Sequence, residues 1–404
     1  MISVKEAEKI IAEQIQLCSK ESVYFQHANN RILRQEIKAD RDFPPYDRVT
    51  MDGIAIDYQT YASGIREFPV QGIQTAGSPQ QTLHNAEHCI EVMTGAVCPQ
   101  KADTVIRYED VEFIEFEGTK IARITIEGIK DQQNVHHQGS DRKSRSILLR
   151  PGRQISPAEI GVIASTGHVK VQVSKLPKVA IISSGDELVE VDAIPAPHQI
   201  RKSNVYTLQA AISDFGVKAD HFHMPDEKEL IYEELGAILK NYDLLILSGG
   251  VSKGKKDFIP EVLNELGVKK LFHTVAQRPG KPFWFGKDEN HTVVFALPGN
   301  PVSTFAGYYK YIRPWLASSM GLEEKPPLIA KLGADYTFKP PLTYFLQVQA
   351  STDSQGNWIA QPVEGHGSGD HVNLIDVNGF LELPADKDFF KAGEAYPLML
   401  FRRM

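Results

Sequence analysis

Leu244-Leu245-Ile246-Leu247-Ser248-Gly249-Gly250-Val251-Ser252-Lys253-Gly254, with Asp257 three residues on, decides the fold. Four large apolar residues in a row, without polar alternation, need cover on both faces. A short run of this kind ending in small residues reads as a buried strand of a sheet clad by helices. Asp257 then precedes a helical run from Phe258 to Leu266, stopped by Gly267. The flanking sequence repeats the alternation. Lys178 to Ile182 is a short apolar strand. Ser203 caps a helical run through Leu208, Ile212 and Phe215 that Gly216 stops. Val217 to His223 reads as a strand, Glu227 to Lys240 as a helix, Val293 to Leu297 as a strand, and Val302 to Met320 as one long helix. Strands alternating with helices predict a mostly parallel sheet with helices on both faces, an α/β domain over about 177–322.

Outward from this block the pattern changes. Ser3 and Glu6 have capping-box spacing, Ile10, Ile11 and Ile15 follow on one face, and the first forty residues read as helical before Phe43-Pro44-Pro45 turns extended. From about 50 to 140 there are short β-like runs (Ile54 to Ile56, Ile90 to Met93, Thr104 to Ile106, Ile121 to Ile126) between Gly, Pro and polar turns, an all-β spacing. Pro157 to Ala164 could open a helix and Val169 to Val173 alternates as a strand. After Lys325-Pro326-Pro327, strands such as Tyr344 to Ala350 and Asn357 to Pro362 predict a small β-barrel or sandwich.

Composition bounds the function. A chain of 404 residues at about 150 per domain is multi-domain. Lys+Arg 44 against Asp+Glu 51 gives −7, which removes the electrostatic reason to expect nucleic acid as a partner. Cys18, Cys89 and Cys98 are scattered, so neither a disulfide scaffold nor a cysteine-rich zinc module is expected. No apolar run approaches the ~20 residues of a membrane span, and no signal-peptide core is seen, so a soluble, cytoplasmic protein is expected.

In an open α/β sheet, ligands bind outside the carboxyl ends of the strands. Here those ends are Ser183-Ser184-Gly185-Asp186-Glu187, Pro225-Asp226, Ser248 to Gly254, and Pro298-Gly299-Asn300-Pro301-Val302-Ser303. All are small or acidic, and they should converge on one edge. Gly249 to Lys256 has P-loop spacing, but Lys256 stands where Ser or Thr would hold magnesium, so an NTPase reading is weak. The loop offers backbone N–H groups to an anion, or it is a tight turn needing glycine. Asp186, Glu187, Asp226 and Asp257 at the strand ends suit Mg²⁺ beside a phosphate. Alternatively Asp226 and Asp257 are helix N-caps. Arg278-Pro279-Gly280-Lys281-Pro282 puts two cations on a rigid turn suited to an oxyanion, or it is a solvated surface hairpin. Asp52-Gly53 taken locally is an ordinary turn, and His136-His137 and His221/His223 lack partners at metal-ligand spacing.

Together these stretches resemble a family. Met51-Asp52-Gly53-Ile54-Ala55, Met93-Thr94-Gly95-Ala96, Ser184-Gly185-Asp186-Glu187-Leu188, Ser248 to Gly254 with Asp257, Pro279-Gly280-Lys281-Pro282 and Leu297-Pro298-Gly299-Asn300-Pro301 look like the motif series of the molybdopterin molybdenumtransferases (the MoeA and gephyrin E-domain family), in family order. The resemblance spans nearly the whole chain. It implies an elongated homodimer with a discontinuous linker domain (1–43 and 142–176), a β-rich insertion (44–141), the α/β molybdopterin-binding domain (177–322) and a C-terminal β-barrel (323–404). The implied reaction is insertion of molybdate into adenylylated molybdopterin, with Mg²⁺-dependent release of AMP. The α/β unit alone also resembles the adenylylating partner enzyme, and the fold also serves in non-catalytic scaffolds, so these two readings stand as alternatives.

Carried over, the resemblance makes Asp52, Glu187, Asp226, Asp257 and Lys281 catalytic, with Asp226 and Asp257 at the metal. It assigns pterin and adenylate to Thr94, Asp141, Ser184, Gly185, Asp186, Ser248, Gly249, Gly250, Gly254, Pro298, Gly299, Asn300 and Pro301. Molybdate falls to Ser252, Arg278, Lys281, Pro282, Ser303 and Ser368. Asp52, Thr94 and Asp141 would come from the second protomer. The chain departs from the family pattern at Val49, where a serine is usual, at Thr274 and Arg278, where lysines are common, and at Gln347, where an arginine is often found.

Overall fold

The structure is a computed structural model and describes residues 1–251, 257–323 and 325–402. The chain forms two compact units. One holds Met1–Arg34, Pro151–Pro157 and Lys170–Met404, the other Gln35–Arg150 and Ala158–Val169.

The centre of the larger unit is the expected α/β sheet. Its strands are β1 (Val179–Ser184), β2 (Ala219–Met224), β3 (Leu244–Ser248), β4 (Lys269–His273), β5 (Trp284–Lys287) and β6 (Val293–Leu297), in the order β2-β1-β3-β6-β5-β4. The four strands from β2 to β6 are parallel; β5 and β4 add an antiparallel edge. Helices α1 (Asn204–Ile212), α2 (Lys228–Leu239), α3 (Ile259–Glu265) and α4 (Pro301–Gly307) cover it. Alternate residues of each central strand go to opposite faces. Ile181, Leu244, Ile246 and Phe295 pack with Val205, Leu208 and Ile212 of α1 and Ala306 of α4, while Ile182, Leu245 and Leu247 pack with Ile231 and Leu235 of α2 and Val262 of α3. Every residue of β3 is therefore buried, the physical reason for its unbroken apolar run.

The C-terminal strands β7 (Leu328–Leu332), β8 (Thr343–Thr352), β9 (Trp358–Pro362), β10 (Gly379–Leu383) and β11 (Ala395–Leu400) follow the order β8-β9-β7-β11-β10. Antiparallel pairing of β8 with β10 closes them into a five-stranded barrel. Phe345 and Phe380 of the barrel belong to the same apolar cluster as Phe295 and α4, so barrel and α/β sheet share one core. The smaller unit is built on a six-stranded sheet in the order Thr104–Arg107, Gly53–Ile56, Cys89–Val92, Glu67–Gln74, Thr119–Ile124, Val111–Phe116.

Three local expectations are corrected. The first forty residues are not one helical stretch. The capping box at Ser3 and Glu6 starts Val4–Ala12, but Lys20–Tyr24 alternates exposed and half-buried and pairs antiparallel with Lys170–Ser174. The long C-terminal helix of the α/β domain is interrupted by a wide π turn at Tyr308–Ile312 before Arg313–Ser319. Pro314 at the start of that last stretch has no N–H to give to an α-register bond, and a widened turn ahead of it relieves the ring. Finally, Asp226 and Asp257 are not N-caps: those positions fall to Glu227 and Phe258, neither of which makes a side-chain capping bond.

Candidate active site

The strand ends converge as the topology requires. They line one cleft of about 1170 Å³ whose wall includes Ser184, Gly185 and Glu187 after β1, Asp226 after β2, and Ser248, Gly249, Gly250 and Asp257 around β3. Pro298 to Ser303 after β6 and the loop Arg278 to Pro282 line it as well, and Ser368 and Gln347 reach it from the barrel. Ser252 and Gly254 lie outside the described residues. Asp186 is not in the wall itself, but its Oδ1 accepts the backbone N–H of Asp226 at 3.1 Å. Thr274 is also absent from the wall.

Each group is held by the backbone that carries it. Ser184 Oγ donates to Asp226 Oδ1 at 3.1 Å, so the second acid is tied to the end of β1 and is not left to cap its helix. Gly249 has φ +105°, and a Cβ there would meet the Ser184 carbonyl oxygen at 2.7 Å; the loop after β3 needs glycine both for its conformation and for its approach to β1. Buried Gln277 donates to the Gly280 carbonyl at 3.0 Å and accepts from Tyr311 Oη, which ties the Arg278–Pro282 turn to the core; Arg278 and Lys281 line the cleft and are both exposed to solvent. Asn300 Nδ2 donates to Ser368 Oγ at 3.0 Å and Val302 N–H to the Ser368 carbonyl at 3.1 Å, which fastens the barrel loop over the start of α4. Gln347 accepts from Asn373 Nδ2 at 3.1 Å.

Asp52, Thr94 and Asp141 belong to the other unit. Asp52 is no ordinary turn residue: its Oδ1 accepts from Thr94 N–H at 2.6 Å and Thr94 Oγ1 at 2.7 Å. These two bonds, the hydroxyl's first, hold the Asp52 carboxyl below the usual range. Asp141 Oδ1 lies 2.9 Å from His136 Nε2, and His136 Nδ1 lies 3.2 Å from Arg48 Nη2.

Sequence reasoning missed several wall residues. Lys202 has a side chain only 7% exposed, and its Nζ sits 2.5 Å from Glu190 Oε1. Arg201, Asn204 and His371 also line the cleft. Residues 201–204 read as turn and helix start, His371 lies in a loop of the C-terminal region, and no spacing marks either. Among the described residues no three His, Cys, Asp or Glu side chains gather as a metal cage. Asp226 and Asp257 do share this wall, a donor set of the kind Mg²⁺ takes when phosphate and water complete its shell.

Comparison with known proteins agrees with this architecture. Residues 2–167 match the MoeA N-terminal region (domain I and II), residues 180–318 the probable molybdopterin binding domain, and residues 329–401 the MoeA C-terminal region (domain IV). A molybdopterin molybdenumtransferase of Synechocystis is 39% identical over 399 residues, covering 98% of this chain and 99% of that relative. One of Staphylococcus epidermidis is 32% identical, covering 99% of this chain and 95% of the relative. The chain belongs to the molybdopterin molybdenumtransferase (MoeA) family. The crystal structure of the molybdopterin biosynthesis MoeA protein from Pyrococcus horikoshii superposes with a TM-score of 0.83 at 27% identity, covering 99% of this chain and 100% of that one. Family membership makes the chain a transferase of molybdenum cofactor biosynthesis, and the adenylyltransferase and scaffold alternatives are not favoured. No helix among the described residues is long and apolar enough to cross a membrane.

Proposed function

We propose that this transferase inserts molybdate into adenylylated molybdopterin and releases AMP. One observation carries the reading: four strand ends and the Arg278–Pro282 loop bring three carboxylates (Glu187, Asp226 and Asp257), two glycine loops and the Arg278/Lys281 cations to a single cleft. Molybdate is a dianion, and Arg278, Lys281, Pro282, Ser303 and Ser368 form its side of the site, to which the family resemblance adds Ser252; the guanidinium adds a two-pronged donor to the lysine point charge. The glycine loops at Gly249-Gly250 and Pro298-Gly299-Asn300-Pro301, with Ser184, Gly185, Asp186, Ser248 and Gly254, hold the pterin and adenylate. Asp226 and Asp257 would hold Mg²⁺, which would supply positive charge beside the phosphate of the AMP leaving group. Ser184 orients Asp226 for this task, and Glu187 positions ligand at the mouth.

The linker, insertion, α/β and barrel regions act in a cytoplasmic homodimer in which Asp52, Thr94 and Asp141 of the second protomer complete the site. The substrate comes from a molybdopterin adenylyltransferase. The purified protein with adenylyl-molybdopterin and Mg²⁺ releases AMP only when molybdate is added. The Asp226→Asn, Asp257→Asn double variant loses that release by at least about a hundredfold at unchanged melting temperature. Molybdate-independent release, ATP-driven adenylylation of free molybdopterin, or full activity in the double variant each count against the proposal.

A further inference from the structure

Asn204 is the first residue of α1 and lines the cleft. Its Nδ2 lies 2.8 Å from Ser248 Oγ and 2.7 Å from the Gly299 carbonyl oxygen. A carbonyl oxygen only accepts, so the group facing it must be the amide NH₂, and both protons are engaged within the wall. Ser248 Oγ lies 3.4 Å from Thr304 Oγ1, which itself donates to the Pro298 carbonyl at 2.6 Å. The single Thr304 proton goes to Pro298, so Thr304 accepts from Ser248 and Ser248 accepts from Asn204. The bonds run in one direction, amide to hydroxyl to hydroxyl to carbonyl, with the second amide proton on the next carbonyl along the chain. They close a ring between α1, the end of β3, the loop after β6 and α4.

Ser248 is 3% exposed and Thr304 1% exposed, so the ring sits where an unmade bond is costly. Ser248 leads directly into Gly249-Gly250, and Gly299 is the middle of the other cleft loop. We infer that Asn204 is a positioning residue that fixes the spacing of the two glycine loops so that both meet one ligand. With both side-chain amide protons committed to the wall, the Asn204 NH₂ group acts on the ligand through the loops. The inference rests on the proposed reading of the cleft as the adenylyl-molybdopterin site.

Two near-isosteric variants of the full chain test it. Asn204→Asp keeps the shape but can only accept, so it cannot bond the Gly299 carbonyl. Thr304→Val breaks the same ring at a residue that does not line the cleft. Both variants are expected to raise the Kd for adenylyl-molybdopterin, read by pterin fluorescence, and its KM by about tenfold, with the KM for molybdate unchanged. A rise with Asn204→Asp alone would mean that Asn204 touches the ligand directly, and the inference falls. Lower apparent kcat with wild-type KM and Kd in both variants would mean a role in folding only, and it falls again. Wild-type protein that binds adenylyl-molybdopterin without molybdate-dependent AMP release would refute the proposed reaction, while the Kd comparison still decides the positioning role. Wild-type protein that does not bind it overturns both.

Discussion

Thr94 lowers the Asp52 pKa through two bonds to one carboxylate oxygen, Oδ1. The side-chain bond contributes more to lowering the pKa than the backbone bond. Thr94→Val keeps the size and removes the hydroxyl, so the Asp52 pKa rises toward the ordinary carboxylate value of 3.8. The sign for stability follows. A depressed folded-state pKa contributes stability that is present above the unfolded pKa and is lost as pH falls through the folded value. The variant therefore shows a flatter acid limb as well as a shifted titration of the Asp52 carboxyl carbon by NMR. An unshifted titration would mean that the backbone N–H alone sets the value. The resemblance marked both Asp52 and Thr94, whereas the bond between them was visible only in space, because they lie forty-two residues apart. Asn204 and Lys202 were illegible for the same reason: an amide or a lysine in a turn acquires its role from strands that arrive later in the chain.

Between strands, Gly53 explains the rest of that motif. It opens the strand Gly53–Ile56, paired to Cys89–Val92 on one side and Thr104–Arg107 on the other. A Cβ at Gly53 would run into the backbone carbonyl of Ile106, which cannot move without opening the sheet. Gly53→Ala is thus expected to destabilise its unit by about 3 kcal/mol or more and to deprotect the Thr104–Arg107 amides in hydrogen exchange. Gly161, within the helix Pro157–Ser165, has open space where its Cβ would be, so Gly161→Ala should be neutral or stabilising. Equal losses in the two variants would remove steric contact as the cause. The elements legible in sequence were those with a strong period or run. The apolar stretch of β3 gave the parallel sheet, and Ser3 with Glu6 gave the first helix start. The antiparallel edge, β4 and β5, was not legible, because Lys269-Lys270 and Gly286 break any simple alternation while Phe272, Trp284 and Phe285 are buried by α/β packing. The N-cap alternative for Asp226 and Asp257 failed, since a capping residue type beside a helix need not cap it.

Across the larger unit, Lys310 joins three parts of the chain that no local pattern connects. It lies in the π turn Tyr308–Ile312, and its side chain is 9% exposed. Its Nζ meets Glu8 Oε1 of the N-terminal helix at 2.5 Å and Glu382 Oε2 of β10 at 2.7 Å. The wide turn supplies the geometry. An α-helix of unbroken register would carry residue 310 at a different angle, so the interruption that relieves Pro314 also aims this lysine. Breaking a buried ion pair by removing one partner costs more than the pair itself contributes, because the other charge is left without compensation. Glu382 is 19% exposed and Glu8 43%, so most of that cost falls on Glu382. Lys310→Met should therefore lose about 3 kcal/mol, a fall of roughly 5–10 °C in melting temperature. Adding Glu382→Gln should recover part of the loss, since it removes the stranded charge, whereas adding Glu8→Gln should recover little. If Lys310→Met melts like the parent chain, the clasp is solvated in solution, and the shared apolar cluster around Phe345 and Phe380 with the backbone and Asn300–Ser368 bonds holds the barrel to the sheet.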